Sequence, residues 1–247
     1  MSDIPLRIAM WSGPRNLSTA LMYAFAARGD CAVWDEPFYA AYLAATGLDH
    51  PMRAEVIAGG EPDPARVAAT CAGPAPGGQP LFYQKHMTHH MLPAFPLGFM
   101  EACTNVFLIR HPARVIASYL AKREAPVLED LGFLQQAALF DRVAERTGKA
   151  PIVIDSADIR ANPRVALERL CTALSIPFTD RMLSWSPGPR PYDGAWAPHW
   201  YGAVHRSTGF EAAEGLLPDL PPAAQVLAEA ALSTYQRLAR HALPVAA

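Results

Sequence analysis

The stretch that most constrains the fold is residues 6–25, which read LRIAMWSGPRNLSTALMYAF. An apolar run is interrupted at residues 12–14 by Ser-Gly-Pro, whose residue types favour a turn. Alanine, leucine and aromatic residues follow with helical spacing, and we expect Ser18 and Thr19 to cap this helix. The stretch therefore predicts a buried strand that passes through a tight loop into a helix.

The loop before this helix has the features of an anion-binding site. Free backbone N–H groups and the positive end of the helix dipole point at one place, which favours a phosphate or a sulfate. Arg15 adds a permanent charge, and the hydroxyls of Ser18 and Thr19 add donors. The loop lacks the Gly-x-x-x-x-Gly-Lys-Ser/Thr pattern of ATP and GTP P-loops. We expect an oxyanion site, and the alternative is an ordinary first strand and helix with an unrelated arginine.

Strands and helices alternate along the rest of the chain. Further strands are predicted at residues 31–35, 81–85, 106–109 and 152–154. Helices are predicted at residues 38–45, 112–120, 163–174 and about 222–241, with one long helix within residues 128–146. This alternation predicts an α/β fold with a central parallel sheet flanked by helices on both faces, in a single domain spanning residues 1–247.

Composition narrows the classes of function. The chain has 247 residues and a net charge of −2, which argues against broad electrostatic contact with nucleic acid or an acidic membrane. No apolar run is long enough to cross a bilayer and residues 1–5 begin no signal peptide, so we expect cytoplasmic residence. The four cysteines are scattered without metal-type spacing, and we expect reduced, mostly buried thiols.

Charged residues follow the predicted strands. The strand ends carry Asp35-Glu36, Lys85-His86, Arg110-His111 and Asp155-Ser156. Ligands of an open parallel sheet bind beyond the carboxyl ends of its strands, so these groups predict a functional site at that edge. Two structural alternatives stay open: Glu36 caps the following helix, or Glu36 pairs with Lys85.

Residues 106–119, VFLIRHPARVIASY, contain a second anion-binding pattern. Arg110 ends a predicted strand and Ser118 lies one to two turns into the next helix, so a guanidinium and a hydroxyl can converge on a terminal phosphate. The order of arginine, any residue, proline, serine and tyrosine resembles the 3'-phosphate segment of sulfotransferases that use 3'-phosphoadenosine 5'-phosphosulfate. The opening loop is similar to that family's 5'-phosphosulfate loop, although Arg15 stands where many members have lysine. Arginine would stabilise charge on the bridging oxygen without donating a proton.

Further segments extend the resemblance over most of the chain. Residues 154–178 are similar to the family's later region. The Asp-Glu-Pro-Phe and Lys-His-Met-x-His-His runs after the second and third strands resemble a bacterial subgroup. The resemblance implies a three-layer, P-loop-NTPase-like fold and transfer of a sulfuryl group from 3'-phosphoadenosine 5'-phosphosulfate to a hydroxyl or amine of a small-molecule acceptor. From the net charge we expect no nucleic-acid or membrane partner, and a homodimer is kept open.

The resemblance also assigns roles to residues. It places Gly13, Pro14, Arg15, Asn16, Leu17, Ser18 and Thr19 on the 5'-phosphosulfate, Arg110 and Ser118 on the 3'-phosphate, and Arg206 on a donor phosphate from a late loop. We expect no metal, since the histidines near the third strand have no carboxylate or cysteine partner nearby in sequence. The aromatic residues of 196–210 would suit either a lid over the site or a loop anchored by tryptophans.

The catalytic set comprises Arg15, Lys85 and one of three candidate bases, which are Glu36, His86 and His89. We prefer Glu36, because we assign it to the strand beside the anion loop and a closed site can raise a carboxylate pKa towards neutrality. Histidine needs no such shift. Two other functions stay open, a P-loop kinase-like phosphotransferase and a non-catalytic nucleotide-binding protein.

Overall fold

The computed structural model describes residues 4–122 and 126–245. In this part of the chain, five strands form one sheet: β1 (Leu6–Ser12), β2 (Cys31–Asp35), β3 (Leu81–Met87), β4 (Thr104–Ile109) and β5 (Ile152–Asp155). All pairings are parallel and the strand order is β2-β3-β1-β4-β5. The predicted α/β fold with a central parallel sheet is confirmed.

The helices cover both faces of this sheet. They are α1 (Ser18–Ala27), α2 (Tyr39–Thr46), α3 (Arg53–Gly59), α4 (Pro64–Ala72), α5 (Pro112–Leu120), α6 (Leu128–Leu131), α7 (Phe133–Thr147), α8 (Ser156–Ala161), α9 (Pro163–Ala173), α10 (Ala197–Trp200), α11 (Gly202–Arg206) and α12 (Pro222–Ala239). Within the described ranges, none is long and apolar enough to cross a membrane.

Strand β1 supplies both halves of the core, because successive side chains of a strand point to opposite faces. Ile8 and Met10 pack with α1 and α9 on one face. Ala9 and Trp11 pack with α4, α7 and α12 on the other. All four side chains are fully buried, so β1 is the centre of the domain and its loop is held from both sides.

Two boundaries differ from the predictions near the anion loop. Helix α1 does begin at Ser18, but its N-cap is Leu17 and no side chain caps it, so the expected capping by Ser18 and Thr19 is wrong. Strand β3 continues to Met87, which makes His86 part of the strand. The expectation that β2 adjoins β1 is also wrong, because the crossover through α1 skips one position and β3 fills it.

Two other segments depart from the predicted helices and loops. The long helix predicted within residues 128–146 is broken at Gly132, which has a φ of 71° and whose carbonyl accepts a hydrogen bond from Thr88 at 2.9 Å. A Cβ at Gly132 would lie 2.5 Å from Thr88 Oγ1, so only glycine fits there. The segment 196–210, whose aromatic residues suited a lid or an anchored loop, contains the short helices α10 and α11. The four cysteines are free, with Cys31 and Cys103 only half-buried.

Candidate active site

A cavity of about 600 Å³ opens beyond the carboxyl ends of the strands. Its wall includes residues that follow all five strands, among them Arg15, Glu36, His89, Arg110 and Arg160. Open parallel sheets bind their ligands in the crevice beyond the carboxyl ends of their strands. The position of each predicted site residue is therefore given relative to this cavity.

The loop between β1 and α1 has the backbone of an anion-binding concavity. Arg15 and Leu17 have φ values of 61° and 68°, in the left-handed region that costs energy for residues other than glycine. Residues in the left-handed conformation that alternate with others turn successive backbone N–H groups to the same side. Since no side chain among the described residues caps α1, its first N–H groups are left for a ligand in the cavity that residues 14–20 line.

Contacts with neighbouring elements hold this loop in place. Asn16 is 1% exposed and donates from Nδ2 to the carbonyl oxygen of Leu108 in β4 at 3.3 Å. A Cβ at Gly13 would lie 2.5 Å from the carbonyl oxygen of Leu131, which explains the glycine at this position. Of the residues predicted to bind the 5'-phosphosulfate, Pro14 to Thr19 line the cavity and Gly13 lies behind them as a close-packing position.

The two predicted anion motifs meet at this cavity. Arg15 Nε donates to Ser118 Oγ at 3.0 Å, and its Nη2 donates to the Ser118 carbonyl at 3.3 Å. Arg110 Nη1 donates to the carbonyl oxygen of Arg15 at 2.6 Å. The structure thus brings Arg15, Arg110 and Ser118 together, although the contact from Arg15 to Ser118 spans 103 positions in the chain.

Three arginines surround one buried carboxylate at the edge of the cavity. The side chain of Glu214 is 4% exposed, and its Oε1 contacts Arg110 and lies 3.0 Å from Arg160 Nη1. Arg114 Nε lies 3.1 Å from Glu214 Oε2. Sequence reasoning missed Arg160 and Glu214. Arg160 follows β5, so the rule of strand ends could have found it, whereas Glu214 lies in an irregular segment without a recognisable pattern.

On the other side of the cavity, Lys85 is the centre of a buried polar network. Its Nζ donates to Asp35 Oδ1 at 2.8 Å, Glu36 Oε1 at 2.7 Å and Tyr201 Oη at 2.6 Å. The Tyr201 hydroxyl donates in turn to Asp35 Oδ2 at 2.7 Å, and Trp196 Nε1 donates to it at 3.0 Å. The pairing of Glu36 with Lys85, one of the two structural alternatives, is therefore present in the fold.

Burial and charge act on this network in opposite directions. Burial raises the pKa of Glu36, while the Lys85 ammonium beside it lowers that pKa, and burial prevails. Burial alone would lower the pKa of Lys85, but the carboxylates of Asp35 and Glu36 raise it overall. Lys85 is therefore held as a cation, and Glu36 is the member of the pair whose neutral form is favoured by burial.

The three histidines in and directly after β3 lie in different surroundings. His86 is 1% exposed and stacks on Trp11 with ring centroids 4.4 Å apart, on the face of β3 away from the cavity. His89 and His90 line the cavity. His90 Nδ1 lies 4.0 Å from Glu36 Oε2, and its ring stacks on Tyr39 at 4.5 Å. Burial lowers the pKa of His86 and of His89 to about 3, so both rings are neutral near pH 7.

Two further charged residues named in the sequence analysis lie elsewhere. Arg206 ends α11 with an exposed side chain and is not part of the cavity wall. Asp155 accepts from the Ala157 N–H at 2.8 Å and from the Tyr235 hydroxyl at 2.6 Å. Asp155 therefore caps α8 and anchors α12. Within the described residues, no group of three His, Cys, Asp or Glu side chains could hold a metal ion.

Comparisons with known proteins found a matching family model and two similar plant proteins. A family model described as Sulfotransferase domain matches residues 6–242. Two Arabidopsis thaliana proteins, Branched-chain-amino-acid aminotransferase-like proteins 1 and 2, are 37% and 36% identical to this chain. The alignments cover 96% and 95% of this chain but only 42% and 41% of those proteins, so the chain spans less than half the length of these curated relatives.

The matches among solved structures are more distant in sequence. The Sulfotransferase Domain from the Curacin Biosynthetic Pathway has 18% identity and a TM-score of 0.47, over 93% of this chain and 98% of that one. The Sulfotransferase Domain from the Synechococcus PCC 7002 Olefin Synthase has 15% identity and a TM-score of 0.47, over 93% of this chain and 95% of that one.

Proposed function

The chain belongs to the sulfotransferase-domain family, and we propose that it transfers a sulfuryl group from 3'-phosphoadenosine 5'-phosphosulfate to a hydroxyl or amine of a small-molecule acceptor. The observation that carries this proposal is the contact between Arg15 and Ser118. It joins a loop suited to a 5'-phosphosulfate to a helix suited to a 3'-phosphate, in the wall of one cavity. The curated relatives are more than twice as long as the matched segment, so the activity in their names is not assigned to this chain.

The donor is proposed to lie along the β1–α1 loop. Its 5'-phosphosulfate would accept hydrogen bonds from the loop N–H groups and from Ser18 and Thr19, with the Arg15 guanidinium beside it. Its 3'-phosphate would contact Arg110 and Ser118. These fixed donors would stabilise the charge that develops on the bridging oxygen as the sulfur–oxygen bond breaks.

The acceptor is proposed to occupy the other side of the cavity. This side is lined by aromatic rings, among them Tyr39, Tyr42, Trp196 and Trp200, next to Glu36. The acceptor oxygen or nitrogen would attack sulfur, the bond from sulfur to the bridging oxygen would break, and its electron pair would leave with the phosphate. The geometry for this in-line displacement is analogous to phosphoryl transfer.

Glu36 is the preferred base that takes the acceptor proton. Glu36 lines the cavity; its Oε1 is held by Lys85, while its Oε2 has no hydrogen bond within the described residues. A raised pKa brings a carboxylate closer to the range in which a general base is effective. His89 is the second candidate, because it also lines the cavity and its Nδ1 has no partner among the described groups. His86 is set aside, since its ring lies behind the sheet against Trp11.

Calorimetric titration tests the donor part of this proposal. We expect adenosine 3',5'-bisphosphate to bind more tightly than adenosine 5'-monophosphate, because only the bisphosphate reaches Arg110 and Ser118. ATP with magnesium is the comparison for the kinase-like alternative. Equal affinity for the bisphosphate and the monophosphate, or tighter binding of ATP with magnesium, would contradict the proposed donor.

A further inference from the structure

Glu214 occupies the position on Arg110 where the 3'-phosphate of the proposed donor would bind. The two terminal nitrogens of Arg110 are both engaged, Nη1 by the Arg15 carbonyl at 2.6 Å and Nη2 by Glu214 Oε1. Arg110 Nε has no hydrogen-bond partner within the described residues. A phosphate that binds the Nη2 side of this guanidinium therefore has to take the place of the Glu214 carboxylate.

The surroundings of Glu214 suit a phosphate better than a carboxylate. Three guanidinium groups, those of Arg110, Arg114 and Arg160, face one carboxylate that is 4% exposed. A second carboxylate, Glu211, lies 3.1 Å from Arg160 Nη2 but is 64% exposed. Among the described residues, the three guanidinium groups that contact Glu214 thus outnumber the two carboxylates in direct contact with them. A phosphate monoester has up to two negative charges and three acceptor oxygens, against one charge and two oxygens for Glu214.

The segment that contains Glu214 is attached mainly through these arginines. Residues 211–220 form no helix or strand, and within the described part of the chain no backbone–backbone hydrogen bond involves them. Arg160 Nε donates to the Ala212 carbonyl at 2.9 Å, and Arg114 donates to the Gly215 carbonyl. Leu216, two residues after Glu214, is 96% exposed. Moving Glu214 out of the cluster would therefore break few contacts other than those with arginine.

Arg160 is in a position to serve the same ligand as Arg110. It lies in α8, directly after β5, and it lines the cavity together with Arg110 and Ser118. Glu214 Oε1 contacts both Arg110 and Arg160, so one oxygen position is already shared by the two guanidinium groups. An oxygen of a phosphate at that position would be bound by both.

We propose that Arg160 binds the donor's 3'-phosphate together with Arg110, and that Glu214 is an internal anion that holds this subsite until the donor displaces it. This inference rests on the proposed function. It predicts that the apparent affinity for the donor is the intrinsic affinity multiplied by the fraction of molecules in which Glu214 has left the site.

The test is calorimetric titration of wild type, Glu214→Gln, Glu211→Gln and Arg160→Ala with adenosine 3',5'-bisphosphate and adenosine 5'-monophosphate at one salt concentration. Glu214→Gln should bind the bisphosphate about 3- to 30-fold more tightly, because the competing charge is removed. Arg160→Ala should bind it about 10- to 100-fold more weakly, the loss expected for one charge-assisted contact. Monophosphate affinity should be unchanged in both, and Glu211→Gln, which removes only an exposed contact with Arg160, should change bisphosphate affinity less than Glu214→Gln does.

The outcomes separate this inference from the function on which it rests. If wild type binds the bisphosphate preferentially but Glu214→Gln binds it equally or more weakly, Glu214 only positions the arginines, and the inference is wrong while the donor assignment stands. If neither wild type nor Glu214→Gln binds the bisphosphate more tightly than the monophosphate, the donor assignment fails and the inference fails with it.

A measurement on the wild-type protein avoids any folding defect of the variants. A protease specific for glutamate should cut after Glu214 only when this side chain leaves the arginines, whereas Glu211 is 64% exposed and serves as an internal reference. Adenosine 3',5'-bisphosphate should increase cutting after Glu214 relative to Glu211, and adenosine 5'-monophosphate should not. A ratio that stays constant or falls with the bisphosphate would overturn displacement of Glu214.

Discussion

Lys85 Nζ lies 2.7 Å from Glu36 Oε1, and the Lys85 side chain is only 1% exposed. The other protons of this ammonium go to Asp35 and Tyr201. The three hydrogen bonds of the Lys85 ammonium are thus made within the protein, and we propose that Lys85 holds Glu36 at the edge of the cavity. Under the proposed function, Glu36 would act on the acceptor and Lys85 would orient it.

Glu36→Gln tests the proposed base. Glutamine keeps the shape of the side chain but removes its basicity, so turnover should fall by about 10²–10⁴ while affinity for adenosine 3',5'-bisphosphate stays within a few-fold of wild type. His89→Asn is the comparison variant and should lose less. Normal turnover in Glu36→Gln together with an inactive His89→Asn would transfer the role to His89.

The pH profile of turnover gives a second test of the same residue. Because burial raises the pKa of Glu36 above its usual value, the base form is lost below a higher pH than for an exposed glutamate. Turnover should therefore rise with pH through this raised pKa and level off above it. The pKa of His89 is about 3, so His89 adds no step near neutrality. The rise should disappear in Glu36→Gln, and a profile that keeps it would contradict the assignment.

Arg15 is expected to stabilise charge in the reaction. Arg15→Ala should lower turnover by about 10²–10³, as for removal of one preorganised charge stabiliser. Arg15→Lys keeps the charge but loses the paired contacts with Ser118, and it should retain measurable turnover. Steady-state kinetics on both variants would settle the matter, and an alanine variant with wild-type turnover would exclude Arg15 from the reaction.

Arg110→Ala should weaken adenosine 3',5'-bisphosphate binding by about 2–5 kcal/mol, because a partly buried charge contact with the 3'-phosphate is lost. Adenosine 5'-monophosphate, which lacks this phosphate, should bind almost as well as to wild type. The same calorimetric titration compares the two ligands. Equal losses for both would show that Arg110 supports the loop through the Arg15 carbonyl and does not recognise the 3'-phosphate.

His86 should make the fold sensitive to acid. Its pKa is about 3 in the folded protein and about 6.5 when unfolded, so the unfolded state binds the extra proton between these values. His86 makes its full contribution to the free energy of unfolding above pH 6.5. Below that pH, the contribution falls by about 1.4 kcal/mol per pH unit as the pH decreases towards 3. Denaturant unfolding of His86→Gln should show a shallower acid dependence than wild type, whereas a change at the exposed His199 should not.

The local motifs were predictable because their chemistry is carried by neighbouring residues. The turn after β1 and the presence of Arg110 and Ser118 in one cavity wall follow from short patterns and from the rule that parallel strands end at one edge. Strand order is not local, and the sequence did not place β3 between β1 and β2. The side of His86 depended on two more residues of β3, since extending the strand puts His86 on the face opposite to Lys85.

The residues that the sequence did not reveal lie in irregular segments or join distant ones. Tyr201 completes the Lys85 network from a position between two short helices, and Glu214 reaches three arginines from a segment without secondary structure. Neither position has a periodic pattern or a turn signal. Only the packing of the folded chain brings these side chains to the cavity.

Sulfuryl transfer itself is tested most directly by donor turnover. The protein is incubated with 3'-phosphoadenosine 5'-phosphosulfate and a panel of hydroxyl and amine acceptors, and formation of both adenosine 3',5'-bisphosphate and the sulfated product is followed by mass spectrometry. We predict that one or more acceptors yield the two products in equal amounts, and that Arg15→Ala and Glu36→Gln reduce both together. Tight donor binding with no transfer to any member of a broad panel, or transfer that is unaffected in both variants, would contradict this account.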